Sequence, residues 1–310
     1  MNSRLGPLLI LLLTVTLFPA LAQEDDGEPA WVTYQRGLRA LEERDLGAAL
    51  ERFREALSKE RPFPEAEAGI GRVFMAEGNV RLSIRQFERA LRHTESFYVA
   101  ETEYAVRYEL AELYRQQERW ADYEETLASI AERNPQFSPD HDPELRRLVP
   151  EVLTRRQGEG RPREPRLDTL LTLYRLDANF AYRAHLELGE RLIDGGRYDE
   201  AVDHASFAAV AALSRLVEEL RRQHYDYEFE SARQLLEDAL EAEGLRRYAE
   251  EAEVFRALLR LGAAVWGTDP SSNVPDEIWE VAAAFPDVGG EWAQRAARAL
   301  ERPETAAYVD

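Results

Sequence analysis

The sequence predicts an all-α protein, a stack of antiparallel helix hairpins of the α-solenoid type. Three observations carry this expectation. GLRALEERDLGAALERFREAL from Gly37 and GRVFMAEGNVRLSIRQFERAL from Gly71 repeat one pattern 34 residues apart, a period that marks a helix-turn-helix array. Each copy places a Gly on its first helix, a Phe 16 residues later (Phe53, Phe87) and an Ala three residues beyond (Ala56, Ala90). With 45% hydrophobic and 32% charged residues the composition suits a folded, mostly helical chain rather than a disordered one.

Taken in order, residues 1–22 place Arg4 before an apolar run from Leu8 to Phe18 and end in Ala20-Leu21-Ala22. That is the layout of a secretory leader. The rival reading is a membrane anchor, since the uncharged stretch from Leu5 to Ala22 is almost long enough to span hydrocarbon; Pro19 and the Ala-x-Ala site favour cleavage. The expectation is a periplasmic protein with no stable membrane insertion after cleavage, and with no Cys it must be held together by apolar burial alone. Loss of Arg4 leaves 38 basic against 59 acidic side chains, a field that makes nucleic acid and anionic lipid poor partners.

An acidic segment, 23–30, precedes the first block, 31–135. Its first helix is expected from Trp31 to Glu43, and Leu46, Ala49, Leu50, Phe53, Ala56 and Leu57 form one stripe of the second. Arg61-Pro62-Phe63-Pro64 stops that helix. The second pair carries Ala66, Ile70, Val73 and Phe74, then a Gly78-Asn79 turn, then Val80, Ile84, Phe87 and Leu91. After an insertion around HTESFYVAETEY, a third pair puts Ala111 in the Gly position, follows it with Tyr114, Trp120, Tyr123, Leu127 and Ile130, and closes at Pro135.

Residues 136–168 break the pattern with a short helix, Asp142 to Arg156, and an Arg-rich Gly/Pro loop that reads as a linker. A second helical block, 169–265, resumes with Gly189, Leu192, Gly195-Gly196, Tyr198, Ala201, Ala205 and Ala208, its second helix running from Tyr198 to Gln223. A weaker fifth copy is expected at Ala239, Gly244, Tyr248 and Phe255, with Glu251 in the small-residue position. Residues 266–310 then read as capping helices and a tail.

On Gly37, Ala49, Phe53 and Ala56, Gly71, Phe87 and Ala90, and Ala111, Tyr114 and Pro135, residues 31–135 resemble a tetratricopeptide repeat protein. The resemblance implies a superhelix of about five repeats in two blocks, and a binding scaffold rather than an enzyme. By similarity, exported members serve outer-membrane assembly, cell-wall coordination or transporter complexes. Members that grip a partner's C-terminal carboxylate use Lys and Asn on their first helices. This chain offers Tyr34, Leu38 and Arg72 there, and its only Lys, Lys59, falls on a second helix.

First helices line the concave face of such arrays, so Tyr34, Leu38, Arg72, Met75, Tyr108, Glu112 and Arg115 are the candidate contacts for a protein partner. Tyr and Arg are enriched where interfaces concentrate their energy; the alternative is that the Tyr rings fill gaps between repeats. A second hypothesis is a small-ligand binding protein that holds an apolar molecule or a glycan in the groove between the two blocks or in the C-terminal part, where Trp266, Trp279 and Trp292 would be the stacking residues.

The segment from Glu144 to Arg166 carries seven Arg against four Glu, and reads first as docking on the chain's own acidic face and second as docking an acidic partner. No His stands at metal-ligand spacing, and Asp140-His141-Asp142 reads as a helix start with Asp142 as N-cap rather than as a metal loop. No cofactor motif is present. Close carboxylate pairs such as Glu43 with Asp45 are expected by chance among 59 acidic residues, so no catalytic pair is assigned.

Overall fold

The computed structural model describes residues 27–134, 137 and 180–306. The leader, most of the acidic segment, Pro135, the Arg-rich linker with its short helix (Phe137 apart), the first residues of the second block (169–179) and residues 307–310 lie outside the described residues. The described residues fold into thirteen α-helices and two 3-10 turns. The first six are α1 (Ala30–Glu42), α2 (Leu46–Lys59), α3 (Pro64–Ala76), α4 (Val80–Ala90), α5 (Ala100–Gln116) and α6 (Trp120–Ala131). The rest are α7 (Tyr182–Asp194), α8 (Tyr198–Gln223), α9 (Ala232–Leu240), α10 (Glu243–Glu251), α11 (Val254–Thr268), α12 (Val274–Ala283) and α13 (Pro286–Glu301). The chain is an all-α stack of helix hairpins, tetratricopeptide-like in its pairing: α1/α2, α3/α4, α5/α6 and α7/α8 pack as successive antiparallel pairs.

One turn closes each of these four hairpins. Arg44, Gly78, Glu118 and Gly196 all take a left-handed backbone, with φ of 61°, 75°, 55° and 69°. The next residue's N–H then reaches back five residues to the first helix: Asp45 to Ala40, Asn79 to Phe74, Arg119 to Tyr114 and Arg197 to Leu192, each at 2.8 or 2.9 Å. This is the Schellman closure, which satisfies the orphan carbonyls of a helix end in the fewest residues. Asp45 and Asn79 at once cap the second helix, accepting from the N–H groups of Ala48 and Leu82.

The repeated Gly and Phe meet. A Cβ on Gly37 would lie 2.6 Å from the Phe53 ring and one on Gly69 would lie 2.7 Å from it, so Phe53 sits between two bare patches of backbone on α1 and α3. Gly71 stands 2.6 Å from Phe87 by the same measure. Both rings are fully buried, worth roughly 2–3 kcal/mol each by area removed from water. In the third pair Ala111 and Leu127 share the work, and both are buried.

At the fourth pair Ala205 on α8 faces Gly189, so the two helix backbones approach closely. The core continues across this point: Ala181, Ala184 and Leu188 of α7 belong to the same apolar cluster as Leu110, Leu127 and Ile130.

The fifth hairpin corrects the expectation from sequence. It is not built around Ala239, Gly244, Tyr248 and Phe255, because Glu253 takes a left-handed conformation (φ 51°, ψ 45°) and separates α10 from α11. The pair is α11/α12, where Gly262 receives the fully buried Trp279 as Gly37 receives Phe53. Helices α9 and α10 form an insert between the fourth and fifth hairpins, and α13 packs on α11 and α12 as a cap.

Helix α8 runs from Tyr198 to Gln223 as expected and is buried on every side over residues 205–214. A helix apolar all round must be enclosed, and α7, α9, α10 and α11 all pack against it. The second half of the molecule is thus organised around one central helix. No helix among the described residues is long and apolar enough to cross a membrane.

Replacing Gly71 by Ala should destabilise the protein by about 1–3 kcal/mol, because the clash with Phe87 outweighs the better helix propensity of Ala. Chemical denaturation measures the loss. Adding Phe87→Leu should recover part of it, a non-additivity expected of touching residues.

Candidate functional site

The candidate contact residues follow the repeat. Leu38, Arg72 and Glu112 each come directly after the small residue that meets the second helix (Gly37, Gly71, Ala111), so they fall on one face of successive first helices. Glu190 after Gly189 and Ala263 after Gly262 extend that row.

Most of the polar members of this face are already engaged within the molecule. The Arg72 guanidinium Nε donates to both carboxylate oxygens of Glu109, at 2.9 and 3.0 Å, and thereby ties α3 to α5. Tyr34 packs its ring against Phe53 and Phe63, with centroids 5.7 and 5.4 Å apart. Burial raises the Tyr34 phenol pKa, and the neighbouring Arg72 only partly opposes the shift.

Tyr108 sits at the junction of the two helical blocks. Its hydroxyl donates to the Phe180 carbonyl and accepts from the Ala184 N–H at 3.0 Å, while the Arg183 guanidinium lies 5.4 Å above its ring. Tyr104 stacks on Phe180 at 3.8 Å beside it. Glu112 and Arg115 form a two-bond fork at 2.7 and 2.8 Å; the hydrogen bonds from Arg115 hold the Glu112 carboxyl below its ordinary pKa.

Leu38 and Met75 are different. Leu38 is half-buried against the Phe53 cluster, and Met75 is 39% exposed. Trp31, one and two turns before Tyr34 and Leu38 on the same stripe of α1, is 54% exposed. These apolar positions lie on the first two hairpins and face no charged partner.

Residues that sequence reasoning passed over complete the face. Glu187 accepts from Tyr123 Oη at 2.7 Å and from Arg183 at 2.5 Å. Glu190 receives Arg256 and, at 2.8 Å, Arg260 Nε, so one carboxylate of α7 holds two guanidinia of α11. Burial favours the neutral acid at Glu190, but the hydrogen bonds and charges of Arg256 and Arg260 outweigh it and keep the carboxyl below its ordinary pKa. Arg260 is itself fully buried and donates to the Ala306 carbonyl at 2.7 Å. Their signal in the sequence was the position directly after Gly189 and its helical neighbours. Between α7 and the start of α11 lies a cleft of about 390 Å³, with Leu186 on its wall among Arg183, Glu187, Glu251, Glu253 and Arg256.

The three Trp residues do not form a stacking platform. Trp279 is buried with its indole N–H donated to the Leu259 carbonyl at 3.1 Å, so it has no surface to offer a ligand. Trp266 is half-buried against the same core, and Trp292 lies between Arg256 and Arg295 at 5.4 and 5.3 Å.

Hairpin packing also joins two His residues that their spacing did not connect. His185 and His204 face each other with Nδ1 atoms 3.0 Å apart, and the Phe137 ring stands 4.7 Å from His185 and 4.9 Å from His204. No set of three metal-ligating side chains occurs among the described residues.

No family model and no curated protein matches the chain. Among solved structures, the chain is similar to the TPR2AB-domain:pHSP90-complex of yeast Sti1, at 14% identity and a TM-score of 0.30, over 90% of this chain and 98% of that one. A superposition that loose transfers no site and no partner, and the fold rests on the hairpin geometry itself.

Removing the Tyr108 hydroxyl (Tyr108→Phe) leaves a buried N–H and carbonyl without their partner, and should cost about 1–3 kcal/mol in chemical denaturation. The phenols of Tyr108, Tyr123 and Tyr182 are pushed well above the ordinary 10.0, and that of Tyr248 up to about 12, in each case chiefly by burial. A raised phenol means the folded state holds its proton more tightly. That contribution to stability is complete below the unfolded value of 10.0 and is lost as pH rises through the folded one. The midpoint of thermal unfolding should therefore fall steeply above pH 10.0, with phenolate absorbance appearing together with loss of helix.

Proposed function

We propose that this protein is a docking scaffold for another protein, and that the partner lays an apolar segment across the first helices of the first two hairpins. The observation that carries this reading is the contrast along that face. From Arg72 onward the polar side chains are paired with one another, whereas Leu38, Met75 and Trp31 present apolar surface. Apolar and aromatic side chains framed by fixed charges suit a segment held by burial, with the rim selecting among partners. The Arg72–Glu109 pair and the Glu112–Arg115 fork supply that rim.

The same reading places the scaffold outside the cytosol, in the periplasm of a bacterium with two membranes. It is supported by the leader-like residues 1–22. Service to an envelope assembly or transport complex follows from that location. The alternative of a glycan or small-ligand site built on the Trp residues is weaker, since Trp279 is enclosed.

Affinity capture from envelope extract tests the docking face. A partner recovered by the wild-type protein should be lost, with binding down about tenfold or more, when Leu38 and Met75 are both replaced by Glu. It should be retained by Arg54→Glu, an exposed change on α2. Equal recovery by all three proteins, each with unchanged helicity, would remove this face from consideration.

A further inference from the structure

Helix α4 carries a row of arginines on its outer side. Arg81, Arg85 and Arg89 fall within about 80° of arc on it, about 6 Å apart along the axis, and Arg92 follows in the 3-10 turn Leu91–Ser96. Arg81, Arg85 and Arg92 are exposed and have no hydrogen-bond or ion-pair partner among the described residues. Arg89 is half-exposed and pairs with Glu67 at 2.8 Å. Four guanidinia so close together are unusual on a chain of net charge −20; Leu82, Gln86 and Glu88 line the groove beside them, the Glu88 carboxylate accepting from Tyr114 Oη.

The complement is found on the same molecule. Between α8 and α9 the chain reads Tyr225-Asp226-Tyr227-Glu228-Phe229-Glu230. Tyr227 and Phe229 pack on the core, and Tyr227 Oη donates to Asp238 at 2.8 Å. An alternating chain that turns its rings inward turns the residues between them outward. Asp226, Glu228 and Glu230 are accordingly exposed and without an ion-pair partner, and Tyr225 beside them is 96% exposed. An exposed phenol ring next to the carboxylates offers a face on which a guanidinium stacks.

Within one molecule these surfaces stand apart. Helix α4 packs on α3, α5 and the 3-10 turn Leu91–Ser96, whereas α9 packs on α8 and α10. We propose that the Tyr225–Glu230 loop of one copy docks along the α4 arginine row of a second copy, each carboxylate meeting one guanidinium. The two surfaces differ, so the contact is head-to-tail, closing into a ring or propagating as an open chain. Net charge opposes association at very low salt by mutual repulsion, and concentrated salt removes the local attraction.

Sedimentation of the purified protein tests this. The expected result is a mass above the monomer that grows with protein concentration near 0.1 M salt, and a monomer near 1 M. Arg81→Glu with Arg85→Glu and Arg92→Glu should give a monomer, as should Asp226→Lys with Glu228→Lys and Glu230→Lys. Each should weaken association by about tenfold or more. An equimolar mixture of the two variants should associate again, since each then supplies the surface the other lacks. Circular dichroism of every variant should match the wild type, because the changed side chains are exposed. A monomer at all concentrations, an association indifferent to either set of changes, or a mixture that stays monomeric would overturn the proposal.

Discussion

A large side chain set into the bare backbone of a glycine is the contact on which the rest of this molecule depends. Phe53 against Gly37 and Gly69, Phe87 against Gly71, and Trp279 against Gly262 bring paired helices closer than a Cβ would permit. The closeness matters because each hairpin is too small to bury its apolar face alone, and gains stability only by presenting a flat, well-fitted side to the next. Where the aromatic is missing, as at Gly189 and Ala205, two small residues bring the backbones together instead. The hairpin turns serve the same end, since a Schellman closure with immediate N-capping leaves no slack between the helices.

How much of this could be read from the residues depended on whether a pairing was local. The first three hairpins and the full span of α8 were legible, because a constant offset between Gly and Phe is itself the record of a contact inside one hairpin. The fifth hairpin was hidden for two physical reasons. Helices α9 and α10 interrupt the array with their own helical periodicity, and Trp279 stands 17 rather than 16 residues after its glycine. The candidate face was legible as a row of positions and illegible as a set of partners. Arg72 finds Glu109 across 37 residues and Tyr108 finds Ala184 across 76, and no pattern in the sequence distinguishes a guanidinium aimed at a neighbour from one aimed at a ligand.

That distinction shapes the functional reading. Two side chains that looked like interface anchors prove to be cross-braces: Arg72, through Glu109, joins the second hairpin to the third, and Tyr108 joins the third to the fourth; Glu190, which the sequence did not single out, joins the fourth to the fifth. A face braced in this way offers a partner a surface whose side chains are already in place. Fixing them in advance lowers the entropy that binding must overcome. It also leaves little for the partner to contact except the apolar positions of the first two hairpins.

The buried guanidinium of Arg260 has a further bearing on the order in which the protein can be completed. It neutralises Glu190 while donating to the carbonyl of Ala306, 46 residues further along the chain. The first two hairpins close with near neighbours, whereas the third already leans on the fourth through Tyr108 and Tyr123. The fourth carries a carboxylate whose two guanidinium partners, Arg256 and Arg260, lie 66 and 70 residues further on. The second half therefore leaves Glu190 unneutralised until helix α11 is in place, and the turn at Ala306 clasps Arg260 behind it.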